Sequence, residues 1–412
     1  MRASADIRML PRVAVVVSHP IQHFCPLYRR IAASGDVCLK VYFASYAGAQ
    51  PYFDRGFGRI VHWSADLVEG FDHESLSRSD SAVDSDSPSS AHFSSRLAEY
   101  DPDAVVVYGY GRTISRRAIR WAKRWHKKLL YISDAELRWR SPWWKLALKK
   151  VVLPRVFSQF DAFLTVGDCN ETYYAHYGVD RSRFFRSPFP VDEDRLQTAL
   201  QQRKRLRREI RERYELPEDA LIALTVGKMT PQKRTGDATM AVCSLWQSGM
   251  KGKVFLLVVG DGPDREACER AARVMRAEAV RFAGFVPVTE LPAHYVAADV
   301  LLHPSSADHH PLAISEAISC GLPCIVSDRV GSVGPTDDIR SGVNGWEYSV
   351  GDYSALASRI RELALHPEVL RAMSDESFRI GRERGMDQSL CGFLTAVRHV
   401  CVAPQADVAR LV

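Results

Sequence analysis

The chain has 412 residues, of which 46% are hydrophobic and 25% charged, and its formal net charge is +6. This length and balance suggest two globular domains and exclude a chain that is disordered as a whole. The mild positive excess fits an anionic partner such as a nucleotide or an acidic lipid surface and does not require nucleic acid.

The cysteines and the first apolar run indicate the cellular compartment in which the protein is expected. Nine cysteines are scattered without a CxxC pair. Cys320 and Cys324 flank residues typical of a turn, so we expect reduced thiols and no metal site. The run at 13–17 is too short for a signal-peptide core or a spanning helix. We therefore expect a cytoplasmic protein, peripheral on the inner face of the membrane if it contacts one.

Strand-like runs alternate with amphipathic stretches in the first half of the chain. Buried parallel strands are predicted at 13–17, 38–43, 104–108, 129–132 and 162–166, and helices at 21–33 and 115–126. This alternation is typical of a doubly wound sheet. The segment 75–95 is rich in Ser and Asp, which predicts a mobile loop.

A second series of strands begins near residue 220. Its strands are predicted at 221–226, 254–259, 280–282, 300–302 and 324–327. The stretch between the series begins with prolines and continues as a highly charged helix, which indicates a domain boundary. We predict an α/β fold with two Rossmann-like, doubly wound domains facing each other across a cleft. Their bounds are 1–188 and 219–385, with a linker helix at 189–218 and a final helix at 386–412 that crosses back to the first domain.

The turn after the strand at 221–226 carries two lysines. Gly227 permits a tight exit from the strand, and Lys228 and Lys233 follow it. Ligands of open α/β sheets bind beyond the carboxyl ends of the strands, where helix N-termini point. The two lysines can therefore converge on one anionic group such as a diphosphate. The alternative is a solvated lysine pair at a helix start.

Three further strand ends in this half carry small or polar residues. They are Gly260-Asp261-Gly262-Pro263, Ala283-Gly284-Phe285-Val286-Pro287 and Leu302-His303-Pro304-Ser305-Ser306. A generic α/β fold does not require four successive turns of this kind.

In this order the motifs resemble the donor domain of the family-4 retaining glycosyltransferases with the GT-B fold. The family pattern runs Gly-(Arg/Lys)-x4-Lys, Val-Gly-x-Gly-Pro, Phe-x-Gly, Pro-Ser, Glu-x7-Glu and Gly-x-Pro-Val. The matching positions here are 227–233, 259–263, 282–285, 304–305, 308–316 and 321–326. The resemblance covers about a third of the chain.

The resemblance implies that the second domain binds a nucleotide-sugar donor, a UDP- or GDP-sugar, without a further cofactor. Lys228 and Lys233, beside Gly227, would hold the diphosphate and stabilise it as it leaves. No Asp-x-Asp motif ends a strand of this domain. We therefore expect the lysines and a helix dipole to replace a metal ion.

The acidic pair and the turn after 280–282 complete the implied donor site. Glu316 would accept hydrogen bonds from the ribose hydroxyls, and Asp308 would contact hydroxyls of the donor sugar. The backbone at Phe285 and Val286 would flank the base.

Two positions depart from the family pattern. Asp308 stands where the family has Glu, so the contacted hydroxyl or the donor can differ. Pro311 stands where a second glycine is usual, which removes a backbone donor. Leu312 and Ala313 still offer N–H groups at the helix start, whose dipole favours a phosphate or sugar oxygen.

The first domain carries weaker signals. Ser18-His19-Pro20-Ile21-Gln22 resembles a family subgroup whose chains begin Ser-His-Pro-Ile-Gln. Ser18 or His19 would cap the next helix, with Pro20 in its first turn. His19 then either acts in the cleft or is a cap without chemistry.

Many family members place a histidine after a middle strand of the first domain. The matching stretch here is 130–136, where Asp134 is our candidate for orienting the acceptor or the donor sugar. Whether Asp134 replaces the histidine stays open.

Basic residues and tryptophans are interleaved between Arg112 and Arg155. This stretch has fourteen Lys or Arg, five tryptophans and only Asp134 and Glu136 of opposite sign. The pattern suits an anionic membrane interface. An acidic glycan as partner and a plain solvated basic face are the alternatives.

We therefore predict a retaining, hexosyltransferase-type glycosyltransferase that is independent of metal and moves a sugar to an acceptor hydroxyl. The acceptor would be a glycan or lipid-linked molecule of bacterial-type surface polysaccharide or glycolipid assembly. Two alternatives remain: a sugar-nucleotide epimerase on the same fold, and a non-catalytic protein that binds glycan or membrane. No nucleic-acid partner is expected because the basic excess is local.

Overall fold

A computed structural model describes residues 10–46, 52–54, 59–61, 67–76, 90–139, 142–275 and 278–401. The described residues form two α/β domains, each built on a parallel sheet with buried side chains on both faces. The predicted fold class is thereby confirmed.

The first domain alternates strands and helices. Its strands are β1 (Arg12–Val17), β2 (Cys38–Phe43), β3 (Tyr52–Asp54), β4 (Arg59–Val61), β5 (Asp72–Ser75), β6 (Ala104–Tyr108), β7 (Lys128–Ile132), β8 (Ala162–Thr165) and β9 (Phe184–Arg186). Its helices are α1 (Cys25–Ser34), α2 (Ser90–Tyr100), α3 (Thr113–Arg124), α4 (Trp143–Phe157) and α5 (Asp168–His176).

The first sheet has the order β5-β2-β1-β6-β7-β8-β9, with parallel pairing throughout. Its central strands are continuous apolar runs because both of their faces are covered by helices. The strand order reverses between β1 and β6, and the carboxyl ends there open a crevice.

The second domain follows the same plan. Its strands are β10 (Leu221–Val226), β11 (Val254–Val259), β12 (Val280–Gly284), β13 (Val300–His303), β14 (Cys324–Ser327) and β15 (Gly345–Tyr348). The helices of this half are α6 (Glu193–Gln201), α7 (Arg203–Arg213), α8 (Thr235–Leu245), α9 (Arg265–Val274), α10 (Leu291–Ala297), α11 (Leu312–Ser319), α12 (Tyr353–Leu365) and α13 (Pro367–Glu383), and a last described helix, α14 (Met386–Cys401), follows them in the chain. The parallel sheet has the order β12-β11-β10-β13-β14-β15.

The stretch predicted as one linker helix forms two helices, α6 and α7, which meet at Gln202. Leu196 and Ile210 on these helices join the core on one face of the second sheet. Arg211 is 2% exposed and pairs with Asp299 at 2.8 Å. Buried Arg211 therefore attaches α7 to the second domain through its ion pair with Asp299. The whole stretch packs as part of that domain.

The last described helix, α14, packs on the first domain. Phe393, Leu394 and Val397 lie in the same core cluster as strands β1 and β2. The hydroxyl of Ser187 donates to the carbonyl of Ser389 at 2.9 Å. The chain thus returns to the first domain after it has completed the second.

Two local expectations in the first domain were wrong. Residues 90–95, expected in a loop, belong to α2 because Phe93 and Leu97 insert into the core; residues 77–89 lie outside the described ranges. Helix α1 begins at Cys25, so neither Ser18 nor His19 caps it. Among the described residues, no helix is long and apolar enough to cross a membrane.

Candidate functional site

The turns after β10 and β11 touch each other through their backbones. The N–H of Gly227 donates to the carbonyl of Val259 at 3.0 Å, and the N–H of Met229 donates to that of Asp261 at 2.9 Å. A Cβ atom on Gly260 would lie 1.8 Å from the Gly227 carbonyl oxygen. Gly260 also has a φ of 145°, which disfavours any other residue. The two turns therefore form one rigid edge of the cleft.

Lys228 and Lys233 both lie on the loop between β10 and α8, and both are half-buried. The N–H of Lys233 donates to the carbonyl of Thr230 at 2.9 Å, which shapes the loop as a turn. Lys233 forms an ion pair with Asp308. Two of the predicted donor-site residues are thus in direct contact.

Asp308 is the centre of a small charged cluster. Besides Lys233 it meets His303, whose Nε2 lies 2.7 Å from Oδ2 of Asp308. Burial alone would raise the pKa of Asp308, but the hydrogen bond to His303 and the charges of His303 and Lys233 outweigh it and hold the pKa well below its usual range. Asp308 is therefore an anion whose oxygens are already oriented. Sequence reasoning missed His303, although its place as the last residue of β13 was a signal.

The loop from 304 to 311 is tied to the lysine loop. The N–H of Ser306 donates to the carbonyl of Gln232 at 2.7 Å, and the hydroxyl of Ser305 donates to the same carbonyl at 3.1 Å. Pro311 is extended and precedes the first turn of α11, where Leu312 and Ala313 lie half-buried. The N-terminus of α11 thus lies on the same edge as Lys233 and Asp308.

Glu316 lies on α11 and is half-buried. The hydroxyl of Tyr295 donates to its Oε2 at 2.7 Å. Burial raises the pKa of Glu316 to about 7, even though the Tyr295 hydrogen bond opposes the rise. The carboxylate therefore accepts from Tyr295 and is held in surroundings that poorly stabilise its charge.

Phe285 and Val286 directly follow β12 and are half-buried. The N–H of Gly260 donates to the carbonyl of Gly284 at 2.8 Å, so the turn after β12 joins the edge formed by the other two. Val286 packs against the core of the second domain.

Across the cleft, Glu136 rather than Asp134 makes the direct contact with the second domain. Oε1 of Glu136 lies 3.0 Å from Nδ1 of His309, and the Glu136 side chain is 2% exposed. Asp134 is half-buried nearby and acts on His309 through its charge. His19 is half-buried, and its Nδ1 lies 2.8 Å from the hydroxyl of Ser18. Sequence reasoning missed both Glu136 and His309.

At the base of the cleft a buried ion cluster joins the domains. Arg384 pairs with Asp337 at 2.9 Å and with Asp338 at 2.5 Å, and donates to the carbonyl of Val166 in the first domain at 2.9 Å. The N–H of Asp168 donates to Asp337 at 2.7 Å. These contacts are short and almost wholly buried, which favours a fixed base to the cleft.

Three side chains of this cluster are of a type that binds metal. Ligand atoms of His310, Asp337 and Asp338 lie within 4.8 Å of one another. Burial alone would raise the pKa of Asp338, but Arg384 and His310 lower it well below its usual range. Arg384 therefore already supplies the positive charge that a cation would supply there.

The basic, tryptophan-rich stretch divides between two helices with different exposure. Trp121 on α3 is buried, at 6% exposure. On α4, Trp143 is 81% exposed, and Trp144, Leu148 and Val151 are all more than half exposed. The helix also carries Lys145, Lys149, Lys150 and Arg155 and no acidic residue. Among the described residues of this stretch, α4 therefore presents a surface that is both apolar and basic, and Trp125 at the end of α3 and Trp139 are exposed as well.

Comparison with known proteins matches residues 207–379 to the family described as Glycosyl transferases group 1. The chain is 30% identical over 242 residues to the D-inositol 3-phosphate glycosyltransferase of Geodermatophilus obscurus, covering 57% of this chain and 52% of that protein. It is 28% identical over 239 residues to the GDP-mannose-dependent alpha-(1-6)-phosphatidylinositol monomannoside mannosyltransferase of Mycolicibacterium smegmatis, covering 56% and 60%. The chain thus spans about half the length of these relatives.

Solved structures resemble the whole chain. A glycosyltransferase from Rickettsia africae superposes with a TM-score of 0.70 at 12% identity, covering 96% of this chain and 100% of that one. Anabaena HepE, solved in complex with UDP, superposes with a TM-score of 0.68 at 13% identity, covering 93% and 98%. At these identities the likeness concerns the fold alone. The chain has the two-domain GT-B fold, and residues 207–379 match the Glycosyl transferases group 1 family.

Proposed function

We propose that the chain is a glycosyltransferase that moves a sugar from a UDP- or GDP-sugar to an acceptor hydroxyl. The observation that carries this proposal is the edge where the Lys228–Lys233 loop, the Asp308 cluster and the N-terminus of α11 meet. Two cationic side chains and a helix N-terminus favour a diphosphate. These residues fall within 207–379, the part of the chain that matches the Glycosyl transferases group 1 family, and this match supports the proposal.

The lysines stabilise the leaving group. As the bond between the anomeric carbon and the phosphate oxygen breaks, its electron pair stays on the nucleoside diphosphate, where Lys228 and Lys233 lower the energy of the new charge. Lys233 is held by Asp308 before the donor arrives, so it is positioned at no further cost in side-chain entropy. Asp308 in turn accepts from hydroxyls of the donor sugar.

We propose transfer with retention of the anomeric configuration and without a metal ion. The acceptor oxygen attacks from the face that the phosphate leaves, and the acceptor proton passes to the departing phosphate oxygen. No side chain then serves as a nucleophile. The two lysines and the dipole of α11 provide the electrostatic stabilisation that a divalent ion would otherwise supply.

The nucleoside is held by the outer part of the same edge. Glu316 accepts from the ribose hydroxyls, beside its bond from Tyr295. The backbone at Phe285 and Val286 flanks the base. On the opposite side, His19 and Asp134 face the sugar or the acceptor.

We propose further that α4 docks the first domain on the inner face of an anionic membrane, toward a lipid-linked or surface glycan acceptor. Its basic residues attract acidic headgroups, and its exposed tryptophans suit the interfacial region. This placement is consistent with surface polysaccharide or glycolipid assembly in bacteria.

A binding screen followed by product analysis tests the proposal. A nucleotide sugar that binds only the folded chain raises its melting temperature, so we expect one of the UDP- or GDP-sugars to do so and ADP-sugars to have little effect. NMR of the product formed with an acceptor mixture should show the donor's anomeric configuration, with or without EDTA. A modified sugar nucleotide formed without acceptor would indicate an epimerase instead, and binding without any turnover would indicate a non-catalytic protein.

A further inference from the structure

His309 directly follows Asp308 and is the residue through which the second domain meets Glu136. Its Nδ1 lies 3.0 Å from Oε1 of Glu136, 173 positions earlier in the chain. The imidazole is 31% exposed, whereas the Glu136 side chain is almost fully buried. Among the described residues, no hydrogen bond engages Nε2 of His309. That nitrogen is available to a ligand in the cleft.

The surroundings of His309 favour a positive charge. The ring of Trp139 lies 5.3 Å from the imidazole with a 31° tilt, a distance at which an aromatic ring stabilises a cation. The hydrogen bond to Glu136 raises the pKa of His309 against the effect of burial, and the charges of Asp134, Glu136 and Asp308 add to the rise. The other charged groups on the adjoining segments are Arg138, Lys233, His303, His310, Asp328 and Arg329.

Its backbone is held as firmly as its side chain. A Cβ atom on Gly331 would lie 2.0 Å from the carbonyl oxygen of His309 and 3.1 Å from Cγ of Glu136. The N–H of Gly331 donates to the carbonyl of Asp308 at 2.9 Å. His309 therefore has little freedom to turn away while the domains are in contact.

We propose that His309 is a further donor-binding residue, whose imidazolium Nε2–H donates to the diphosphate of the nucleotide sugar. Glu136 is its positioning residue: it fixes Nδ1 as the inner nitrogen and supports the charge, as a carboxylate does behind a ligand-binding histidine. The contact joins the two domains, so the donor meets this cation only when the cleft is closed. The inference rests on the proposed glycosyltransferase function.

The position of His309 favours an anionic ligand over a role as base for the acceptor. A base needs an unprotonated nitrogen, and three carboxylates disfavour that form here. His309 also lies between Asp308, which holds Lys233, and the N-terminus of α11. Lys233 and that N-terminus both favour the same phosphate oxygens.

The test is the affinity of the full chain for UDP-glucose and GDP-mannose between pH 6 and 8.5, measured by calorimetry on the tighter of the two. The diphosphate of a nucleotide sugar is doubly esterified and does not titrate in this range. At each pH the dissociation constant of H309Q is divided by that of the wild type, which cancels groups that both proteins share, including Glu316. At the low end we expect H309Q to bind roughly ten- to one-hundred-fold more weakly, the scale of one charge-assisted hydrogen bond.

The sign of the pH dependence follows from the imidazolium. His309 is charged below its pKa, which lies above the ordinary value near 6.5, so the ratio should be large at pH 6 and fall toward one as the pH rises through that pKa. E136Q should move the fall to lower pH, because it removes the largest cause of the raised pKa. H309K keeps a cation throughout the range and should bind with a flat profile. The matched control is H366Q, which removes an exposed histidine 3.1 Å from Glu368 and far from the cleft in sequence, and should give a ratio of one.

Three outcomes would overturn the inference. A ratio of one for H309Q at every pH, with wild-type binding intact, would overturn this inference and leave the proposed function standing. Normal binding by H309Q and H309K together with turnover lost in both would assign His309 to the acceptor as a base. No binding of either nucleotide sugar by the wild type would overturn the proposed function and this inference together.

Discussion

The two sheets share one architecture, but their carboxyl edges are built for different contacts. On the second sheet, Gly227 and Gly260 let neighbouring turns touch each other, and the charged side chains surround that joint. On the first sheet, close approach is to the other domain: a Cβ atom on Gly167 would lie 2.1 Å from Asp337. The turns after β10 and β11 are held by contacts within the second domain, whereas the carboxyl edge of the first sheet is held at Gly167 by a contact with the other domain.

The proposed donor and acceptor sites differ in the same way. An edge that is rigid without help can bind a ligand shared by many enzymes, such as a nucleoside diphosphate. An edge that depends on the other domain changes when the cleft opens, which suits an acceptor that must enter and a product that must leave. The contact between Glu136 and His309 lies where the two edges meet.

The largest effect is expected where the domains are joined. Replacing Arg384 with Met removes the guanidinium that pairs with the buried Asp337 and Asp338, and breaking a buried pair in this way costs about 3–5 kcal/mol. Denaturant unfolding should show a loss of that size. The matched control is Arg379→Met, which removes two exposed ion pairs, with Glu376 and Glu383, and should leave the stability nearly unchanged. Equal stability of the two variants would mean that the cluster does not hold the domains together.

The next largest effect is expected at the carboxyl edge of the second sheet, where the turns after β10 and β11 contact each other. Lys228→Ala and Lys233→Ala should each lower turnover by roughly 10²–10³-fold, the scale for one lost electrostatic donor to developing charge. Lys251→Ala is the control, since Lys251 is exposed and precedes β11 at the opposite edge of the same sheet. Circular dichroism should show all three variants folded. Near-normal turnover in either test variant would remove that lysine from the diphosphate site.

A substitution of Glu316, on the same edge, should change nucleotide affinity without lowering stability. Glu316→Gln should weaken nucleotide binding by one to two decades, since losing a charged acceptor costs about 1.5–3 kcal/mol. It should not lower the melting temperature at pH 8, because a folded-state pKa raised to about 7 means that stability declines as the pH rises and the buried carboxyl ionises.

A nucleoside without phosphate isolates the effect of Glu316. Wild-type affinity for uridine or guanosine should rise between pH 6 and 8, as the carboxyl becomes a stronger acceptor for the ribose. The variant should give a flat profile. Loss of stability at pH 8 with unchanged nucleotide affinity would make Glu316 a structural carboxylate.

The smallest effect per residue is expected at the outer surface of the first domain. Changing Lys145, Lys149 and Lys150 to Glu should weaken sedimentation with anionic vesicles, at about 1 kcal/mol for each basic residue near the surface. Changing the exposed Lys204, Arg205 and Arg208 of α7 to Glu is the control with the same change in charge. Salt should weaken wild-type binding without abolishing it, because Trp143 and Trp144 also anchor α4.

The control variant should bind vesicles as the wild type does, and nucleotide affinity should stay the same in both triple variants. Equal binding to neutral and anionic vesicles, or no binding at low salt, would contradict the membrane proposal. Helix α4 would then be part of an acceptor site or a plain solvated face.

The central strands and the turn residues at the carboxyl edge of the second sheet could be predicted from the sequence, because each is encoded in one short segment. A strand-ending glycine followed by Lys228 and Lys233 lies within one short segment. The pair Glu136 and His309 leaves no such pattern, since it forms only when the domains meet. Composition also did not separate Trp121 from Trp143, because exposure depends on where each helix packs. The break between α6 and α7 was missed for a related reason. The many charged residues of that stretch suggested a solvated linker helix, although Leu196 and Ile210 pack into the core of the second domain.

A calorimetric titration with the preferred nucleotide sugar in EDTA, on the wild type and on the Lys228→Ala Lys233→Ala double variant, tests whether the two lysines bind the diphosphate without a metal ion. We predict one site per chain in the wild type, unchanged by EDTA, and at least about one-hundred-fold weaker binding in the double variant. Undiminished binding by the double variant, or wild-type binding that requires an added divalent ion, would contradict this prediction.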